Sequence, residues 1–279
     1  MARATVSRQV DAQPRVRRGY FECRYGQLHV HNAIPPGGGF EEGTPLLCLH
    51  KSPMSGALFQ RFLPLSARDR SVYAPDIPGF GDSDPPASRA SIADYAGALE
   101  DFLDTMRFRQ LDVLGYTLGA LIAAELAIAR PSQIRRVVLT SVPVLSEADR
   151  EGLRRAPASV ASSLDVAQLS SEWRRMLESY GAGAAPEVVL KAFADKLRNG
   201  AQGAWAASAA LQYPIRERLS LITQQVLVLR PRDDLWDSTL RVRELLPRAR
   251  FVDLPEQGAA LFEMAPGLVA DTVREFLRG

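Results

Sequence analysis

Gly115-Tyr116-Thr117-Leu118-Gly119 joins one mostly apolar run, Leu111–Leu114, to another, Ala120–Ala129. The short run reads as a strand covered on both faces and the long one as a helix. A strand that turns sharply into a helix brings the residues two before and two after its apex close together. Glycine at 115 and 119 removes side chains that would collide there, and Thr117 becomes the apex. The plainer alternative is a glycine pair that marks an ordinary strand-to-helix turn.

Outward from this stretch, strand and helix signals alternate. Tyr20–Cys23 and Gln27–His31, separated by Tyr25-Gly26, predict an N-terminal hairpin. Leu46–Leu49, Ser71–Ala74, Arg136–Thr140 and Gln225–Leu229 are further apolar strands. Helices are expected over Ala57–Ser66, Ser91–Met106, Leu118–Ala129, Ser238–Leu245 and Pro266–Leu277. In the second of these Ser91 is the N-cap, and Ile92, Tyr95, Leu99, Phe102 and Met106 lie on one stripe. The expected class is α/β, with a doubly wound, mainly parallel sheet.

The alternation breaks between Val142 and Ile222, where Ser171–Ser179, Pro186–Arg198 and Trp205–Leu211 read as helices. An insertion there sits above the C-terminal edge of the strands, where open α/β sheets bind ligands, and it reads as a lid. The expected organisation is a disordered basic tail over 1–18, a core over 19–143 and 222–279, and a helical lid over 144–221.

With 279 residues, 46% of them hydrophobic, the chain is long enough for one large domain with an insertion. A net charge of +2, with arginines scattered among acids, excludes a nucleic-acid footprint. Cys23 and Cys48 make a poor disulfide framework, and Cys48 lies within an apolar run, so a reducing compartment is expected. No stretch reaches the ~18 apolar residues of a membrane span, and no secretion signal is visible, which predicts a cytoplasmic protein.

Several segments in order resemble the α/β-hydrolase superfamily, from about Tyr20 to the end. Leu46–His50 followed by Ser52-Pro53-Met54-Ser55-Gly56 is similar to its strand and oxyanion loop, and Asp76-Ile77-Pro78-Gly79-Phe80-Gly81-Asp82-Ser83-Asp84 to the loop after its next strand. Gly115–Gly119 resembles the nucleophile elbow, and Val226–Leu229 with Asp233-Asp234 the strand that delivers the acid. The resemblance implies Thr117 at the nucleophile position, Asp234 as the acid with Asp233 next, and Gln257 in the histidine slot, or Glu256 if the register slips by one. It also implies an oxyanion and substrate region of His50, Lys51, Ser52 and Leu118.

Two departures agree with one another. Threonine replaces the usual serine, and the histidines are His29, His31 and His50, none of them downstream. An amide neither accepts nor returns a proton near pH 7, and a threonine nucleophile needs a positioned base. Lys51 stands where the family has glycine; it either binds a substrate carboxylate or enolate as a point charge, or is a solvated loop lysine. His50 orders its loop, and His29 and His31 share one strand face in a solvent-facing or packing role. Trp173, Met176, Tyr180, Trp205 and Tyr213 line a pocket or pack the lid. No metal-ligand spacing is present and no cofactor is expected.

Three functions follow as expectations. One is an enzyme acting on a small, hydrophobic organic molecule without the Ser-His-Asp mechanism, as a lyase or by other cofactor-free chemistry. Another is a ligand-binding pseudohydrolase. The third is a conventional hydrolase built on Thr117.

Overall fold

The computed structural model describes residues 13–36, 42–155, 165–181 and 183–279. Most of the expected basic tail, residues 1–12, lies outside them, and its far end is strand, because β1 begins at Arg17. The described strands are β1 (Arg17–Cys23), β2 (Gly26–Ala33), β3 (Gly43–Leu49), β4 (Arg70–Pro75), β5 (Leu111–Tyr116), β6 (Ile134–Thr140), β7 (Gln225–Pro231) and β8 (Arg250–Leu254). They form one sheet in the order β1-β2-β4-β3-β5-β6-β7-β8. The β1–β2 and β2–β4 pairs are antiparallel and the others parallel, so the sheet is mainly parallel. Every residue of β4 and β5 is buried, as continuous apolar runs require. The sequence did not announce β8 because Arg-Phe-Val-Asp-Leu at the sheet edge is mostly half-exposed and presents no apolar run.

The expected helix Ala57–Ser66 is a 3₁₀ turn, Gly56–Phe59, followed by α1 (Phe62–Ser66). Pro64 explains the break: it lacks an amide hydrogen, and its ring excludes the carbonyl four residues back. α2 (Ile92–Thr105) is closed by a reciprocal capping box between Ser91 and Asp94, which stabilises its first turn by about 1 kcal/mol. α3 (Leu118–Ala129) is buried along Leu118–Ala127 because it lies between the sheet and α2. Among the described residues five helices lie between β6 and β7: α4 (Glu147–Arg155), α5 (Val166–Tyr180), α6 (Pro186–Arg198), α7 (Gly200–Gln212) and α8 (Ile215–Leu219). The helix expected at Ser238–Leu245 is two short ones, α9 (Trp236–Leu240) and α10 (Val242–Leu245), with Arg241 at the junction reaching the Val144 carbonyl and Asp149. α11 (Leu261–Met264) and α12 (Pro266–Arg278) end the chain.

Each face of the sheet carries its own core, with Leu99, Phe102 and Leu121 on one and Phe62, Phe262 and Val273 on the other. The chain leaves β3 for β4 on one side and then crosses to β5 on the other, so β3 and β5 flank a topological switch point. A crevice opens beyond the carboxyl ends of strands at such a point. Leu49 pairs with Gly115, Tyr116 with Thr140, and Thr140 with Leu229. The residues next in sequence, His50-Lys51, Thr117 and Ser141, with Asp233 just beyond β7, are thereby set along one edge.

Candidate functional site

Thr117 sits at the apex with φ 52° and ψ −103°, a positive-φ conformation that a β-branched residue adopts only at a cost. The surrounding bonds fix it there: its amide donates to the Thr140 carbonyl at 3.0 Å, and its own carbonyl receives the amides of Ala120 and Leu121 at 3.0 and 3.3 Å. A Cβ on Gly115 would lie 2.2 Å from the Gly119 carbonyl oxygen, and one on Gly119 would lie 2.1 Å from that of Leu49. Both positions therefore exclude any side chain. Leu118 opens α3, so its amide has no partner within the helix.

Thr117 lines two cavities. The first, about 340 Å³, is walled by Lys51, Tyr116, Tyr180, Asp233, Asp234 and Ala259 among others. The second, about 640 Å³, is lined mainly by Leu118, Pro143, Leu145, Leu153 and the alanine face of α7. Ser52, Pro53, Thr117, Leu235 and the charged group Glu172, Arg175 and Lys196 border both. Glu172 is buried on α5 and pairs with Arg175 one turn on and with Lys196 on α6.

Lys51 enters the first cavity from the loop after β3. Its Nζ donates to the Ala259 carbonyl at 2.5 Å and lies 4.8 Å from the Tyr116 ring centre and 5.5 Å from that of Tyr180. Burial pushes its pKa down, against the opposing pull of Glu263, Asp233 and Asp234. The Tyr116 hydroxyl donates to the same carbonyl at 2.8 Å, and its ring is held by Phe262, which packs against Phe59 and Phe62. Burial raises the Tyr116 and Tyr180 phenols, so both are neutral donors.

Of the two neighbouring acids, Asp233 is the one built into the framework. It accepts from the Ser141 hydroxyl at 2.5 Å and the Leu235 amide at 3.0 Å, and burial raises its pKa. Asp234 is exposed and borders the cavity.

Three of the expected site positions, Gln257, Glu256 and His50, do not line either cavity. Gln257 is half-buried, its carbonyl receives the Arg232 amide, and its amide donates to the Leu254 carbonyl. Glu256 is exposed, and the residue of this loop that lines the cavity with Thr117 is Ala259. Ala259 lies two residues past Gln257, on the other side of it from Glu256. His50 is fully buried; its Nε2 accepts the Ile77 amide at 2.9 Å, so Nδ1 carries the proton and donates to the Lys51 carbonyl at 3.0 Å. Burial pushes its pKa down to about 4, and its work is to shape the loop that carries Lys51. Of Trp173, Met176, Tyr180, Trp205 and Tyr213, Met176 and Tyr180 reach the cavity. Trp173 packs on Phe193, and Tyr213 donates to Glu125.

The sequence has no metal-ligand spacing, yet the fold gathers His29, His31 and Asp76 so that ligand atoms of all three lie within 4.8 Å. Neither histidine faces solvent. Asp76 already receives the amides of Gly56 and Asp82 and meets His29 Nδ1 at 2.8 Å, which makes the group a hydrogen-bonded brace for the Asp76–Ser83 loop. Glu172, Arg175, Lys196, Ser141 and Ala259 were not anticipated. The first three lie on two helices with no common motif, and only the scarcity of lysine offered a signal.

A sequence profile of the alpha/beta hydrolase fold matches residues 44–266. The chain belongs to this family. It is 36% identical over 118 residues to 2-hydroxymuconate semialdehyde hydrolase of Pseudomonas sp. (strain CF600), covering 40% of this chain and 41% of that protein. It is 31% identical over 122 residues to haloalkane dehalogenase of Psychrobacter cryohalolentis, covering 42% and 40%. The chain thus spans about two fifths of the length of these relatives. A thermophilic esterase from Thermogutta terrifontis superposes with a TM-score of 0.76 at 20% identity, over 94% of this chain and 98% of that one, a likeness of fold. These relatives act on small organic molecules. No helix among the described residues is long and apolar enough to cross a membrane.

Proposed function

We propose that this protein is an enzyme that transforms a small organic molecule at the Thr117 cavities without a Ser-His-Asp mechanism, with the helical insertion as its lid. The observation that carries this reading is the pairing of Ala259 and Lys51: an alanine, which cannot serve as a base, lines the cavity with Thr117, and the amine of Lys51 reaches the same cavity and bonds the Ala259 carbonyl. Lys51, Tyr180 and the Leu118 amide can hold a substrate oxygen that gains negative charge, the kind of electrostatic stabilisation that needs no nucleophilic hydroxyl. The larger chamber, lined by leucine, proline and alanine, supports a substrate with an apolar portion.

The test is hydrolysis of p-nitrophenyl acetate. The parent is expected to be weak and insensitive to Thr117→Ala, whereas Thr117→Ser with Ala259→His gains roughly 10²-fold or more, the lower end of what a positioned general base supplies. Brisk parent hydrolysis that disappears in Thr117→Ala would overturn the reading. A ligand-binding protein is the second reading, favoured by the bond that already ties Lys51 to Ala259. It predicts thermal stabilisation by a ligand and no product.

A further inference from the structure

Arginine fills nearly every cationic position of this chain: of 34 Lys and Arg residues, only Lys51, Lys191 and Lys196 are lysines. Two of those three, Lys51 and Lys196, line the cavity at Thr117. A guanidinium holds charge as well as an ammonium does, but it stays protonated and cannot act as a nucleophile; an amine can. The two cavity lysines are also held differently. Lys196 is paired with the Glu172 carboxylate, as an ordinary ammonium is. Lys51 Nζ instead touches a neutral carbonyl and two phenol rings, in a site that favours the uncharged amine through burial.

We propose that Lys51 is an imine-forming amine and that the cavity takes small ketones or aldehydes. This rests on the reading that the Thr117 cavity is the functional site. The free Nζ adds to the carbonyl carbon, forming the C–N bond while the oxygen takes a proton. That oxygen then leaves as water with a second proton, and Nζ keeps its lone-pair bond as the C=N of a protonated imine. Asp233 borders the cavity, and Glu263 acts on Lys51 electrostatically; burial raises both above the ordinary carboxylate range, which suits proton transfer to the departing oxygen. The cationic imine lets a proton leave the carbon next to the former carbonyl carbon, giving an enamine, and a proton returned to that carbon restores the imine. Water returns the amine and releases the product carbonyl, so no oxidant or metal enters the balance.

The full chain is incubated separately with pyruvate, acetoacetate and butanal, each with sodium borohydride, and the three lysines are read by peptide mass mapping. Reduced adduct is expected on Lys51 at roughly tenfold or more over Lys191 and Lys196, since imine formation needs the free amine and burial favours that form at Lys51. Lys51→Arg, checked for folding by circular dichroism, should take no label at position 51, and Lys191→Arg should leave the Lys51 label unchanged. Equal labelling of the three lysines, or none on Lys51 with any probe, overturns the proposal. If Lys51 stays unlabelled while Lys51→Met still abolishes turnover or ligand stabilisation, the imine falls and the site stands. If Lys51→Met changes neither, both fall.

Discussion

At the scale of single residues, Thr117 and His50 show how the loops around the cavity are held. Thr117 has a positive φ with a β-branched side chain, an arrangement that costs about 1–3 kcal/mol and persists because its amide and carbonyl are both committed. Thr117→Gly removes that strain while adding backbone entropy to the unfolded chain, a cost of up to about 1 kcal/mol. A net gain of about 1 kcal/mol is expected in denaturant unfolding; a loss would mean that the threonine side chain contributes more than its conformation costs. His50 is neutral in the fold, with a pKa near 4, whereas an unfolded histidine takes its proton near 6.5. Its contribution is therefore complete above pH 6.5 and declines as pH falls toward 4, by about 3 kcal/mol in all. His50→Asn keeps one donor and one acceptor but cannot titrate. It is expected to be less stable at pH 7 and to lose less stability between pH 6.5 and 4, as urea midpoints across that range would reveal.

Among the elements, those decided by local chemistry were readable before any coordinates. Helices α3 and α6 begin and end where the apolar period and Pro186 place them, and the Ser91 cap of α2 was visible in the sequence. Long-range juxtaposition was not. Nothing near Gln257 indicates that the chain presents Ala259 to the cavity, because that depends on Phe262 packing against Phe59, Phe62 and Tyr116. The Glu172 ion pairs likewise depend on how α5 and α6 meet. Docking of α6 on the core has a definite cause: Ser55 Oγ donates to Asp195 at 2.8 Å, and the Asn199 side chain donates to the Pro53 carbonyl. Burial raises the Asp195 carboxyl, so it depends on that hydroxyl. Ser55→Ala should cost about 1–2 kcal/mol locally and speed amide exchange in α6 roughly tenfold, leaving the global melting temperature nearly unchanged. Unchanged exchange in α6 would show that other contacts hold it.

For the whole molecule, the sheet separates the cavity from a structural anchor at the opposite ends of the same strands. Asp112, near the start of β5, is fully buried and makes a two-pronged contact with Arg135 at 2.9 and 2.6 Å, with Arg70 at 3.3 Å. Arg135 and Arg136 also donate to the Leu277 and Phe276 carbonyls, where the end of α12 concentrates partial negative charge. One carboxylate thus ties β4, β5, β6 and the last helix together. Burial raises its pKa despite these partners, so the desolvation cost is large and the arginines offset only part of it. Asp112→Ala removes the two-pronged partner of Arg135 and leaves the buried Arg70 with Asp69 alone as its counter-charge, and is expected to cost about 3 kcal/mol, a drop of about 10 °C in Tm for a chain this size. Thr117 lies five residues further along, about 16 Å at strand rise. Below its lowered Tm, the variant should therefore keep ligand binding at the cavity and the borohydride labelling of Lys51 at parental levels. Calorimetry together with labelling at 20 °C checks this; loss of both signals together would mean that the anchor and the cavity form a single cooperative unit.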